Sequence, residues 1–136
     1  MTKTTTLGLL AEGRKREKTQ TLFYRRLASL AEDTGDEALA ERLNALHADE
    51  QHHLSRLTAR LLELGGEPAE LGSRAGEGPE LEGWEDEARR REEGEVGWYT
   101  RARDEDVDDT TRDLLDEILD SERHHARELG GKWMSA

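Results

Sequence analysis

The second half of this chain echoes the first, and that echo constrains the fold more than any other feature. Arg16-Glu17 followed by Phe23-Tyr24 recurs as Arg91-Glu92 followed by Trp98-Tyr99, 75 positions later. Glu50-Gln51-His52-His53 recurs as Glu122-Arg123-His124-His125, 72 positions later, with Leu43 and Leu46 matched by Leu115 and Ile118. A connection three residues shorter in the second half accounts for the difference in offset. The repeat unit is a helical hairpin, and two such units make a pseudo-symmetric bundle.

The helical reading rests on periodicity. Apolar residues recur at helical spacing from about Thr6 to Leu64, interrupted at Asp33-Thr34-Gly35-Asp36. A glycine followed by an acidic cap stops one helix and starts the next. This predicts helix A over about 6–32 and helix B over about 36–64. Leu39, Leu43, Leu46, Leu54, Leu57, Leu61 and Leu64 form the apolar stripe of helix B. The stretch 65–83 holds both prolines and six of the thirteen glycines, so it is a connection. Nineteen residues extended at about 3.3 Å each reach roughly 60 Å. A thirty-residue helix is only about 45 Å long, so the connection can return along a whole helix. Helix C follows over about 84–103 and helix D over about 109–129, stopped by Gly130-Gly131. Strand signals are nearly absent. The expected architecture is all-α, a four-helix bundle of two hairpins joined by a long crossover, with 1–136 as one domain.

Composition narrows the chemistry. There are no cysteines, which removes thiolate zinc, iron–sulfur and rubredoxin-type centres and any disulfide framework. A net charge of −12 disfavours nucleic acid, whose phosphates would be repelled. No segment approaches the roughly 18 consecutive apolar residues of a membrane span, and Met1–Leu10 is too weakly patterned for a secretory signal. These features predict a cytoplasmic chain with no membrane partner. Only 33% of residues are hydrophobic and six are aromatic, so the core should be lean. Trp84, Trp98 and Trp133 are expected to serve packing or subunit contact.

Within each repeat a Glu and a His stand three apart, Glu50/His53 and Glu122/His125. Three residues turn a helix by about 300°, so both side chains leave one face. His52 and His124 point elsewhere. One helix offers two ligands, too few for a tight site; Glu17 and Glu92, at equivalent places in helices A and C, can add one carboxylate each. Four Glu and two His suit a pair of ions, the carboxylates bridging and each ion taking one imidazole. Oxygen and nitrogen donors without sulfur fit Fe(II), Mn(II) or Zn(II). Tyr24 and Tyr99, each seven residues after its Glu, are placed to hydrogen-bond a ligating carboxylate across the bundle. Asp49, four before His53, can orient an imidazole of its own or a neighbouring helix; its counterpart in the second repeat is Ser121. Glu95, one turn beyond Glu92, is a candidate extra ligand.

On these residues the chain resembles the ferritin-like superfamily, specifically its rubrerythrin and bacterioferritin branches. Glu17 to Ala28 resembles helix A of rubrerythrins, and Leu114 to Leu119, leading into Glu122 and His125, resembles the last core helix of bacterioferritins. The resemblance implies that Glu17, Glu50, His53, Glu92, Glu122 and His125 are metal ligands and that Tyr24 and Tyr99 bond beside them. It implies a diiron centre acting on peroxide or O₂, or a ferroxidase with Fe(II) as substrate. A non-catalytic metal-binding or interaction bundle is the reading of another class. The rubredoxin-like cysteines of rubrerythrins are missing, so a peroxidase would draw electrons from a separate donor. Gln51 stands where bacterioferritins carry a haem-binding Met, and the sequence ends eleven residues after His125. No haem and no large storage shell are therefore expected. A homodimer or higher homo-oligomer is expected, with helix swapping feasible through the long connection.

Overall fold

A computed structural model describes residues 3–72 and 79–130. Four α-helices account for nearly all of it: α1 (Lys3–Asp33), α2 (Glu37–Glu63), α3 (Trp84–Arg103) and α4 (Asp109–Leu129). These coincide with the periodic segments, except that α1 starts three residues before the predicted helix A. Trp133 and Gly131 lie outside the described residues. Among the described residues, no helix is long and apolar enough to cross a membrane.

The helix ends are set by local chemistry. Gly35, at φ +78°, ends α1: its N–H bonds to the Glu32 carbonyl and that of Asp36 to the Ala31 carbonyl. Gly65, at φ +83°, ends α2 with the same pair of bonds, to Leu62 and Leu61. Both are left-handed stops that spare a β-carbon the strain of positive φ. Asp36 caps α2 by accepting from the Leu39 N–H, and Asp108 caps α4 by accepting from the Thr111 N–H.

The helices pack as two tight hairpins, α1 with α2 and α3 with α4, whose mutual faces stand further apart. Buried apolar residues collect at the two ends of the bundle. At one end Leu27, Ala31 and Phe23 of α1 meet Leu43 and Leu46 of α2, Trp84 and Ala88 of α3 and Leu129 of α4. At the other, Leu10 of α1 meets Leu57 and Leu61 of α2, Ala102 of α3 and Leu114, Leu115 and Ile118 of α4. Gly13 allows close approach there, since a β-carbon would stand 3.2 Å from Leu57 Cδ1. The start of α1 thus meets the end of α2, the end of α3 and the start of α4, so neighbouring helices are antiparallel. The end of α2 and the start of α3 lie at opposite ends of the bundle. Between the two apolar clusters lies a belt of buried polar side chains.

Candidate metal centre

The belt draws one or two residues from each helix. Glu17 comes from α1, Glu50 and His53 from α2, Glu92 from α3, and Glu122 and His125 from α4. All four carboxylates are 0% exposed, and the imidazoles of His53 and His125 are 6% and 2% exposed. Burying four carboxylates around two imidazoles is strongly unfavourable, because each carboxylate loses its hydration and they outnumber the groups that can offset their charge. That they share one interior is the main observation about this molecule.

The donor atoms form two overlapping sets. Glu17, Glu50, His53 and Glu122 bring one donor atom each within 4.8 Å of one another, and so do Glu50, Glu92, Glu122 and His125. Glu50 and Glu122 belong to both, as bridging groups between two ions must. Both imidazoles turn Nδ1 inward. His53 Nδ1 lies 3.0 Å from Glu50 Oε1 and 3.4 Å from Glu17 Oε1; His125 Nδ1 lies 3.1 Å from Glu122 Oε1 and 3.6 Å from Glu92 Oε1.

The surrounding hydrogen bonds hold these groups in place. Tyr24 Oη of α1 donates to Glu92 Oε2 of α3 at 2.6 Å, and Tyr99 Oη of α3 donates to Glu17 Oε2 of α1 at 2.6 Å. The phenols therefore cross between the hairpins. Burial, and then the charge of the facing carboxylate, keeps both phenols well above their usual pKa, so they stay donors. Asp49 of α2 takes up the neighbouring-helix alternative: its Oδ2 lies 2.9 Å from His125 Nε2 of α4. An ionised carboxylate can only accept, so this contact places a proton on Nε2.

Charge crowding shows in the acidities. Burial first, then the neighbouring carboxylates, pushes Glu50 well above the usual carboxyl range, and burial with the charges of Glu92 and Glu17 raises Glu122. Burial opposes ionisation of Glu92 too, but the nearby His125 imidazole and the bond from Tyr24 outweigh it and lower its pKa. His125 is pushed up to about 12: burial works against its charge, while bonds to Asp49, Glu122 and Glu92 prevail.

A cation pair fits this cluster. Glu17 Oε1, both oxygens of Glu50, His53 Nδ1, Glu92 Oε1 and Glu122 Oε2 are buried and lack any hydrogen-bond partner. Orphaned buried acceptors are rare and unfavourable in proteins; here they face one another across the belt. A divalent ion satisfies such atoms together.

Glu95 takes a different place. It is buried, but both its oxygens accept from Arg16 of α1, at 2.9 and 3.1 Å, and it belongs to neither donor set. Glu93 is exposed, which singles out Glu92 among its acidic neighbours. His52 and His124 are exposed, the latter paired with Glu128. Two contributors escaped the sequence reading. Gln20 Nε2 donates to Glu92 Oε2 at 3.2 Å, and Arg16 clamps Glu95. The repeat held the signal for both, since Gln20 of helix A occupies the position of Glu95 in helix C. Surface cavities approach the belt from two sides. One of 420 Å³ between α1 and α3 reaches Gln20 and Glu95, and one of 120 Å³ between α2 and α4 reaches Asp49 and His125.

Fold and belt together define a ferritin-like four-helix bundle with a carboxylate–imidazole core. The sequence profile of the rubrerythrin family matches residues 8–131, and the chain belongs to that family. No curated protein matches it by sequence. Among solved structures it is similar to a bacterioferritin of Desulfovibrio desulfuricans described with a diiron site in different catalytic states (TM-score 0.87, 21% identity, 95% of this chain and 78% of that one). It is also similar to bacterioferritin BfrA of Mycobacterium tuberculosis (TM-score 0.82, 25% identity, 96% and 84%). A third is the Rhodobacter capsulatus bacterioferritin, described with a metal-free dinuclear site and haem iron (TM-score 0.82, 24% identity, 94% and 82%).

Proposed function

We propose that this protein is a dinuclear-metal oxidoreductase of rubrerythrin type, with iron as the metal and peroxide or O₂ as the oxidant. Its ligands are Glu17, Glu50, His53, Glu92, Glu122 and His125. The observation that carries the reading is the set of six buried, partnerless donor atoms shared between two overlapping clusters. Oxygen and nitrogen donors without sulfur suit iron, with manganese and zinc as its competitors. A bound iron pair would supply the two electrons needed to cleave a peroxide O–O bond.

The residues of the chain do the rest. Tyr24 and Tyr99 each fix one oxygen of a carboxylate and leave the other directed into the belt. Asp49 holds the far nitrogen of His125, so that Nδ1 faces the cluster. Burial and the neighbouring carboxylates shift Glu50 and Glu122 towards their protonated forms in the metal-free chain, and bound cations would shift them back. The apolar clusters at either end keep bulk water from the belt. All six ligands come from one chain, so no helix exchange is needed to complete the site. These residues offer no thiolate iron centre, so a peroxidase cycle would draw its electrons from outside this bundle.

A ferroxidase is the second reading, favoured by the fold-level likeness to bacterioferritins. There Fe(II) is substrate and leaves oxidised. Stopped-flow oxidation with Fe(II) in excess of two per chain separates the two. The peroxidase reading expects one rapid phase equal to the bound iron and then dependence on added reductant; sustained oxidation of surplus Fe(II) would overturn it. Elemental analysis tests the shared premise. Less than one metal per chain after anaerobic Fe(II) loading would rule out a dinuclear centre.

A further inference from the structure

The two hairpins carry matched ligands but unmatched supports, and the mismatch falls on one side of the belt. The far nitrogen of His125 is bonded to Asp49 at 2.9 Å. The repeat places Ser121 where an equivalent carboxylate would face His53, and no hydrogen bond joins Ser121 to His53. The carboxylates differ in the same sense. Glu92 Oε2 accepts from both Tyr24 and Gln20, at 2.6 and 3.2 Å. Glu17 Oε2 accepts from Tyr99, and the position equivalent to Gln20 is Glu95, whose oxygens are taken by Arg16.

We infer that the two metal positions are unequal: the one formed by Glu50, Glu92, Glu122 and His125 fills first and holds its ion more tightly, with Asp49 as its positioning residue. This rests on the dinuclear reading above and goes beyond it. Glu50 and Glu122 serve both positions, so they cannot distinguish them; the difference must come from His125 against His53 and Glu92 against Glu17. A carboxylate on the far nitrogen fixes the imidazole's tautomer and ring angle and strengthens its donor nitrogen, and such partners typically change metal affinity about 10–100-fold. The contact lies on Nε2 and leaves Nδ1 facing the cluster, so an ion held there would not displace it. Gln20 adds a second fixed donor to Glu92, holding that carboxylate in one orientation. Among the described residues, no carboxylate is bonded to the far nitrogen of His53.

The full chain, stripped with chelator, is titrated with Zn(II) by calorimetry while the ring signals of His53 and His125 are followed by NMR. The expected result is two steps with dissociation constants at least about tenfold apart, the first moving His125. Asp49→Ala should weaken that first step about 10–100-fold and leave the second unchanged. Asp49 is 57% exposed, so the variant should fold normally, and an unchanged melting temperature of the stripped protein verifies this. Ser121→Asp should tighten the second step and narrow the gap. Two ions bound with equal affinity, or His53 responding first, would overturn the inequality while sparing the dinuclear centre. Equal weakening of both steps by Asp49→Ala would assign Asp49 a merely structural role and overturn its part. Binding of fewer than two ions would overturn the dinuclear reading and this inference with it.

Discussion

The ends of the bundle and the belt between them obey opposite rules. At the ends, Leu27, Leu43, Leu57, Leu115 and Ile118 are fully buried and apolar, and removing them from water drives folding. In the belt, equally buried positions hold Glu17, Glu50, Glu92 and Glu122, whose burial opposes folding. A chain with only 33% hydrophobic residues has little stability to spare. The contrast teaches that burial at the ends holds the fold together, whereas burial in the belt opposes folding and finds its use only in the binding proposed above.

The largest effect should come from breaking an end. Leu115→Ala should lower unfolding stability by about 2–5 kcal/mol in urea denaturation, through lost burial and the cavity left behind. A loss under about 1 kcal/mol would mean that the end packs loosely. The belt should respond in the opposite direction. In chelator-treated protein, Glu50→Gln and Glu122→Gln should each stabilise the fold, most at alkaline pH where the carboxyl they replace is ionised, by up to about 1–3 kcal/mol. The same variants should lose paired metal loading, measured by elemental analysis. Two tightly retained ions in either variant would contradict the bridging assignment.

A pH series sharpens the comparison further. Glu50 and Glu122 hold their protons more strongly folded than unfolded, where a Glu carboxyl titrates near 4.5. Their stabilising contribution is therefore complete below that pH and declines as pH rises towards their folded values. His125, pushed up to about 12 from 6.5, contributes most below 6.5 and loses that contribution as pH climbs. Glu92 runs the other way, its contribution being lost only under acid conditions. The melting temperature of chelator-treated protein should thus fall between pH 5 and pH 8, while the gain on adding metal should grow. A calorimetric series in which the stripped protein became more stable over that range would contradict the crowded carboxylates. The smallest effect belongs to a helix cap far from the belt. Asp108→Ala, which frees the Thr111 N–H and releases Arg60, should cost about 1 kcal/mol without altering metal content.

The helix bounds were legible because their signals are local. Gly35-Asp36 and Gly65 stop and start helices through φ and caps that involve only a few neighbouring residues. The six clustered residues were legible because duplication wrote the pattern twice, separating Glu50-x-x-His53 from an accidental pair in an acidic chain. Glu95 shows where that logic ran out. One turn beyond Glu92, it sits on a face that spacing alone assigns to the belt, yet Arg16 of another helix claims both its oxygens. Gln20 was overlooked for a related reason: its place in the repeat, matching Glu95, marks the position, but spacing does not say which carboxylate its amide bonds.

By itself, then, the sequence determined the helices, the long crossover and the repeat of carboxylate and imidazole positions, because helical spacing and turn chemistry depend on near neighbours. Tertiary structure alone decided that Glu50 and Glu122 fall in both donor sets, that each tyrosine serves the opposite hairpin, and that Asp49 reaches His125 while Ser121 makes no bond to His53. Those are distances between helices. They are set by how two lean apolar ends pack, and no periodicity within one helix encodes them.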